Sequence, residues 1–169
     1  IAAFLDEKCA KLDAAVRIKE EQIALLRERR QILIQQAVTR GLNPAVPMKD
    51  SGVKWLGEVP HGWNVSRLKH VARQVADKVS SKDSVLRYIG MENVESWSGR
   101  LIEGNSEVEG LAAKFVAGDV IFGKLRPYLA KAARLSFSGI CSTEFVVFRP
   151  GDEVDSNFLA YLFLSSSFV

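Results

Sequence analysis

The sequence predicts an α+β protein: a long N-terminal amphipathic coiled-coil helix followed by a mixed α/β globule that reads as incomplete. Three observations carry this. Apolar residues recur at heptad spacing without a proline from about residue 2 to residue 40; a stretch rich in proline and glycine follows; then come several short β-branched and aromatic runs and one capped helix.

Leu5, Cys9, Leu12, Val16, Lys19, Ile23, Leu26, Arg30, Leu33 and Ala37 alternate steps of four and three residues, which puts one stripe along one side of a helix. Ala15, Ile18, Leu25, Ile32 and Ile34 broaden it, and Glu7–Lys11 and Asp13–Arg17 are favourable pairs four residues apart. Arg40, Gly41 and Pro44 form a strong stop signal. A helix of this length outruns a small domain and needs a partner helix, so Leu5, Leu12, Val16, Ile23, Leu26 and Leu33 are its expected packing interface. Lys19 and Arg30 interrupt the stripe and are expected where packing opens or meets acidic groups.

Residues 42–64 carry Pro44, Pro47, Pro60, Gly52, Gly57 and Gly62 and read as an extended connector after the helical region 1–41. Trp55 and Trp63 are expected to pin it to the domain at 65–169. Within that domain, residues 65–76 are ambiguous between strand and helix, whereas 85–90, 119–123 and 140–149 have strand composition. Residues 155–164 read as a helix capped by Asp155 or Ser156, with Phe158, Leu159, Leu162 and Phe163 on its buried side.

Composition bounds the function. At 169 residues and 47% hydrophobic content the chain can bury one compact core, and its net charge of +3 permits a polyanionic partner without demanding one. Cys9 and Cys141 have no metal-ligand or disulfide spacing and read as reduced thiols of a cytoplasmic protein. No run approaches the roughly 20 apolar residues of a membrane span, so no membrane partner is expected. The chain starts in helical periodicity and stops inside an apolar pattern, as a piece of something longer would.

Catalytic chemistry finds little footing. His61 and His70 lack metal-ligand spacing, Cys141 sits in a strand-like run, and there is no phosphate-cradling glycine loop. Asn43-Pro44 is followed by Ala45-Val46, which breaks the asparagine-proline-proline-aromatic pattern of amino-methyltransferases. Glu92, Glu95, Glu103, Glu107 and Glu109 are scattered in loop-like sequence.

A binding role fits residues 118–150 better. Lys124 and Arg126 alternate about Leu125, so an extended strand end would point both the same way, with Pro127 ending the run. Tyr128 and Lys131 continue that surface, and Arg87, Lys114, Arg134, Ser142 and Thr143 extend it. Cations neutralise phosphates, arginine also binds guanine bidentately, and hydroxyls contact either. The competing reading pairs Arg126 with a carboxylate such as Glu144 and buries Tyr128. From another class, a helical scaffold without DNA binding would make the long helix the functional element.

Four stretches, WLGEVPHGWNVSRLK at 55–69, RYIGMENVESWSGRL at 87–101, GDVIFGKLRPYLAKA at 118–132 and GICSTEFVVFRP at 139–150, together resemble the target recognition domain of type I restriction-modification specificity subunits. The first helix resembles that family's central conserved spacer helix, in the family's order. The resemblance implies a non-catalytic subunit that reads double-stranded DNA. It also implies modification (methyltransferase) subunits and restriction subunits as partners, with no cofactor of its own: S-adenosylmethionine, ATP and magnesium belong to those partners. With one helix and a domain that breaks off after Phe163, self-association through the helix is the further expectation, which sedimentation at high concentration detects. Because much of GKLRPYL is a family pattern, Lys124, Arg126 and Tyr128 could hold backbone or fold while neighbouring loops choose the bases.

Overall fold

The computed structural model describes residues 1–54, 56–80, 85–104 and 110–169. Trp55, Glu107 and Glu109 therefore lie outside the described residues.

Helix α1 (Ala2–Arg40) runs unbroken for 39 residues, about 58 Å at ~1.5 Å per residue. Gly41 ends it at φ 74°, donating its N–H to the Ala37 carbonyl, and the ring of Trp63 lies 3.5 Å from where a Cβ would stand. Every residue from 1 to 29 is exposed, and only Ile34 and Val38 near the other end are buried. The six residues Leu5, Leu12, Val16, Ile23, Leu26 and Leu33 are all exposed, so the helix meets its own globule only through its last three turns. Lys11 pairs with Glu7, whereas Asp13 and Arg17 form no ion pair with each other.

The connector is more ordered than a linker. Strands β1 (Met48–Asp50) and β2 (Glu58–Pro60) pair antiparallel, Met48 opposite Pro60, and the hairpin lies against α1. Trp63 meets Phe158 edge-on at 5.7 Å, which pins the connector as expected of it. The ambiguous stretch after it is both things in turn: one helical turn, α2 (Leu68–Val71), then strand β3 (Ala72–Val75).

Seven further strands complete two four-stranded sheets: β4 (Lys78–Ser80), β5 (Tyr88–Ile89), β6 (Leu111–Phe115), β7 (Val120–Gly123), β8 (Ala132–Arg134), β9 (Gly139–Ser142) and β10 (Phe145–Pro150). One sheet has the order β3-β10-β7-β8 and the other β4-β6-β9-β5, in which only β5 and β9 run parallel. Phe115, Ile121, Ala133, Cys141, Phe145 and Val147 fill the space between the sheets. The alternate residues Val120, Phe122, Ala132 and Phe148 face outward onto helix α3 (Ser156–Phe163) and the segment after it. The central strands are covered on both faces, which is why β7 and β10 read as almost continuous apolar runs.

Residues 140–149 do not form the single strand their composition predicts. Ser142 Oγ accepts the Glu144 N–H, and the chain turns at Thr143–Glu144 and crosses from one sheet to the other. Hydroxyl side chains that bond the following backbone offer an alternative to the ladder. A second feature stiffens the junction: Asp119, 1% exposed, receives Nε and Nη2 of Arg149 at 2.7 Å each and the Val116 N–H at 2.9 Å. One carboxylate thereby ties the β6–β7 turn to β10.

Asp155 caps α3 by accepting the N–H groups of Asn157 and Phe158. The Phe158 N–H, then that of Asn157, with Arg134 adding charge, hold its carboxyl below the usual range. Of the four residues expected on the buried side, Leu159 and Phe163 are buried, while Phe158 and Leu162 are partly covered.

Candidate nucleic-acid interface

Between Gly123 and Ala132 the chain must reverse and start the neighbouring strand. Gly123 donates to the Lys131 carbonyl while Lys124 donates to the Glu144 carbonyl at 2.9 Å, so the strand ends there. Arg126 adopts φ 52°, ψ 59°, Pro127–Leu129 form one 3-10 turn, and Ala130 follows at φ 43°. The expectation that Lys124 and Arg126 alternate along an extended strand end is thus corrected, because the return takes a tight turn with two left-handed residues. Such conformations are costly for non-glycine residues and persist where the surroundings hold them.

The turn projects its side chains outward. Lys124, Arg126 and Tyr128 are exposed, Tyr128 by 63%, and their side chains make no hydrogen bond or ion pair with any described residue. Arg126 is not bound to Glu144, and Tyr128 is not core, so the competing reading of these two residues fails. Through the Lys124–Glu144 backbone bond the turn abuts Ser142 and Thr143, both partly exposed. Five of the predicted residues therefore share one end of the double sheet: Lys124, Arg126, Tyr128, Ser142 and Thr143.

The other four do not join them as free groups. Lys131 is spent within the protein, its Nζ donating to the Met91 carbonyl at 2.6 Å. Arg87 and Lys114 lie at the opposite end of β9, since Lys114 pairs with Ile140 and Arg87 accepts the Ile140 N–H. The Arg87 guanidinium stacks 4.7 Å over the Phe137 ring. Arg134 stands opposite Val120, at the far end of β7, and donates to Ser156 Oγ at 2.7 Å beside the start of α3. These three are corrected out of the cluster: strand register, which composition does not encode, carried them away.

Sequence reasoning missed Tyr88 and gave Glu92 and Glu144 no part in the binding surface, yet all three border the same end. Burial raises the Tyr88 phenol above its ordinary pKa, against a lowering hydrogen bond to Ser142, and Glu92, Cys141 and Glu144 add to the rise. At neutral pH it is a neutral hydroxyl. A rim of carboxylates, phenol and hydroxyls around two free cations suits mixed contact with phosphates and base edges.

Nucleophilic chemistry finds no support in the thiol. Burial, with the Asp119 charge adding, pushes Cys141 up to about 12. His61 and His70 are exposed, and among the described residues no group of three metal-ligating side chains gathers. No helix among the described residues is long and apolar enough to cross a membrane.

No family model matches the chain. It is 27% identical, over a 192-residue alignment, to the type I restriction enzyme EcoDI specificity subunit of Escherichia coli, an alignment that takes in 99% of this chain and 42% of that protein. The crystal structure of the HsdS subunit from Thermoanaerobacter tengcongensis superposes with a TM-score of 0.53 at 26% identity, over 62% of this chain and 30% of that one. A chain from work on complex assembly and conformational transition of the type I R-M system gives 0.55 at 28% identity, over 63% of this chain and 30% of its own length. The chain thus spans less than half of the curated relative, and its similarity to specificity subunits holds in both sequence and fold.

Proposed function

We propose that this chain is a DNA-reading module of a type I restriction-modification specificity subunit. The observation that carries the reading is the outward turn at 124–130, with two cations free of partners among the described residues and an exposed tyrosine beside the Ser142–Thr143 turn. Its ligand is double-stranded DNA, whose phosphates Lys124 and Arg126 neutralise while the flanking hydroxyl, phenol and carboxylate groups face base edges. Likeness to the EcoDI specificity subunit supports the same reading.

The module makes and breaks no covalent bond. Methylation and cleavage are the work of modification and restriction subunits, which bring S-adenosylmethionine, ATP and magnesium. The chain acts in the cytoplasm, where the DNA is. Its long exposed apolar stripe is covered by a second helix, from a partner segment or another copy, a reading that the uninterrupted exposure of residues 1–29 supports. Arg87 and Arg134 spend their guanidinium groups on contacts within the fold, and Lys114 lies at the other end of β9 from the reading surface.

The test is a titration of the chain with duplex DNA at several salt concentrations. Binding should weaken linearly in log K against log salt, with a slope of about −0.9 per phosphate neutralised. Salt-independent binding, or none, would remove DNA as the ligand.

A further inference from the structure

The segment 90–104, conspicuous in the sequence as GMENVESWSGRLIEG, enters the binding reading above only through Glu92, yet it touches both the helix and the turn. It is a self-braced loop. Val94 bridges Leu101, Glu95 donates its N–H to the Arg100 carbonyl, and the Asn93 side chain accepts the Gly90 N–H while donating to the carbonyls of Ile102 and Gly104. At its tip Trp97 stands at φ 60°, a rare conformation for so bulky a residue.

Two sets of bonds hold that tip. From α1, Arg30 forks its guanidinium onto two successive carbonyls, Nη1 to Trp97 at 2.7 Å and Nη2 to Ser98, and Gln31 Nε2 adds a second bond to the Trp97 carbonyl at 2.9 Å. From the other side the Trp97 N–H donates to the Ala130 carbonyl at 3.2 Å, on the left-handed residue that closes the outward turn. Lys131 then ties the base of the same loop through the Met91 carbonyl. Arg30 occupies a heptad position where an apolar residue is expected, one read from the sequence as a place where packing opens or meets acidic groups; its hydrogen bonds among the described residues go to two backbone carbonyls, with the Glu95 carboxylate close enough to feel its charge. A charge at that position makes sense if its purpose is to grip the globule.

We propose that loop 90–104 is a strut through which Arg30 fixes the conformation of the turn at 124–130, so that the position of α1 and the shape of the DNA-reading surface are set together. Arg30 is in this account a positioning residue. It touches no nucleic acid and acts through Trp97 and Ala130. The proposal rests on the DNA reading for its functional meaning, but its structural content stands apart from it.

Both parts are tested on the full chain by hydrogen exchange and duplex binding in Arg30→Ala, Arg30→Lys and Gln35→Ala. Gln35 is the control, because its Oε1 anchors α1 independently, accepting from Ser166 Oγ and the Ser167 N–H without touching Trp97. Arg30→Ala should speed exchange of the Leu129 and Ala130 amides about tenfold, the loss of one to two hydrogen bonds. Arg30→Lys, able to reach one carbonyl, should fall between, and Gln35→Ala should leave those amides unchanged. Duplex affinity should drop several-fold in Arg30→Ala with the salt slope intact, since no phosphate contact is lost. Unchanged exchange at 129–130 in Arg30→Ala, or equal acceleration in Gln35→Ala, overturns the strut. A slope smaller by about one overturns the positioning role, because Arg30 would then be a phosphate contact. If the wild-type chain binds no duplex, the DNA reading fails alone, and exchange still decides whether the strut exists.

Discussion

Phe163→Ala is expected to destabilise the chain by about 3–5 kcal/mol, the usual cost of emptying a fully buried aromatic site. Phe163 is 0% exposed at the centre of an aromatic group, with ring centroids 5.4 Å from Phe122, 5.2 Å from Phe148 and 4.7 Å from Phe168. Its ring joins three parts of the chain: the outer face of β7 and β10, α3 itself, and the segment that follows α3. That following segment also supplies Ser166 and Ser167 to Gln35 of α1, so the cavity would loosen the helix anchor as well as the sheet. Set against a typical domain stability of roughly 5–15 kcal/mol, the loss is large. Denaturant unfolding checks it: the midpoint should fall with little change in slope, and Phe163→Leu should recover most of the difference. An unfolding free energy within about 1 kcal/mol of wild type would mean that the aromatic group does not hold α3 to the sheet.

The double substitution Lys124→Ala/Arg126→Ala should weaken duplex binding roughly 60-fold at ~0.1 M salt, which is what two lost phosphate contacts amount to at about 0.9 decades of salt dependence each. The same variant should flatten the log-log salt slope by about two. Folding stability should barely move, because neither side chain has a partner among the described residues and both are exposed. That separation is what makes the pair informative: binding falls while the unfolding midpoint stays. Lys131→Ala should behave in the opposite sense, losing its bond to Met91 and disturbing the turn from within. A double variant that binds as tightly as wild type would place the DNA on another face.

Local signals announced some of this structure and were silent about the rest. Helix α1 was legible from Ala2 to Gly41 because its heptad spacing and its glycine stop are written in consecutive residues. The Asp155 cap and the β7 run were legible for the same reason. The division of 140–149 was not, since the break depends on one Ser142 hydroxyl preferring the Glu144 N–H over a ladder position. Nor did the β1–β2 hairpin advertise itself, three-residue strands among prolines and glycines being indistinguishable from connector.

The site divides along similar lines. Lys124, Arg126 and Tyr128 are neighbours in sequence and stayed together in space; Ser142 and Thr143 joined them because β10 pairs Phe145 with Gly123. Arg87, Lys114 and Arg134 were carried off by register, a long-range property. Arg30 is the clearest instance of a residue whose oddity was visible and whose purpose was not: a cation in an apolar stripe signals a special contact, but only the fold shows that the contact is a pair of backbone carbonyls on Trp97 and Ser98.

Selection of duplexes from a randomised pool by the full chain at about physiological ionic strength addresses the central claim most directly, since specific recognition must exceed the sequence-independent electrostatic background. The account predicts that a short, defined base pattern is enriched, and that the enriched duplex competes better than a scrambled one. A pool that emerges with its sequence distribution unchanged would contradict it.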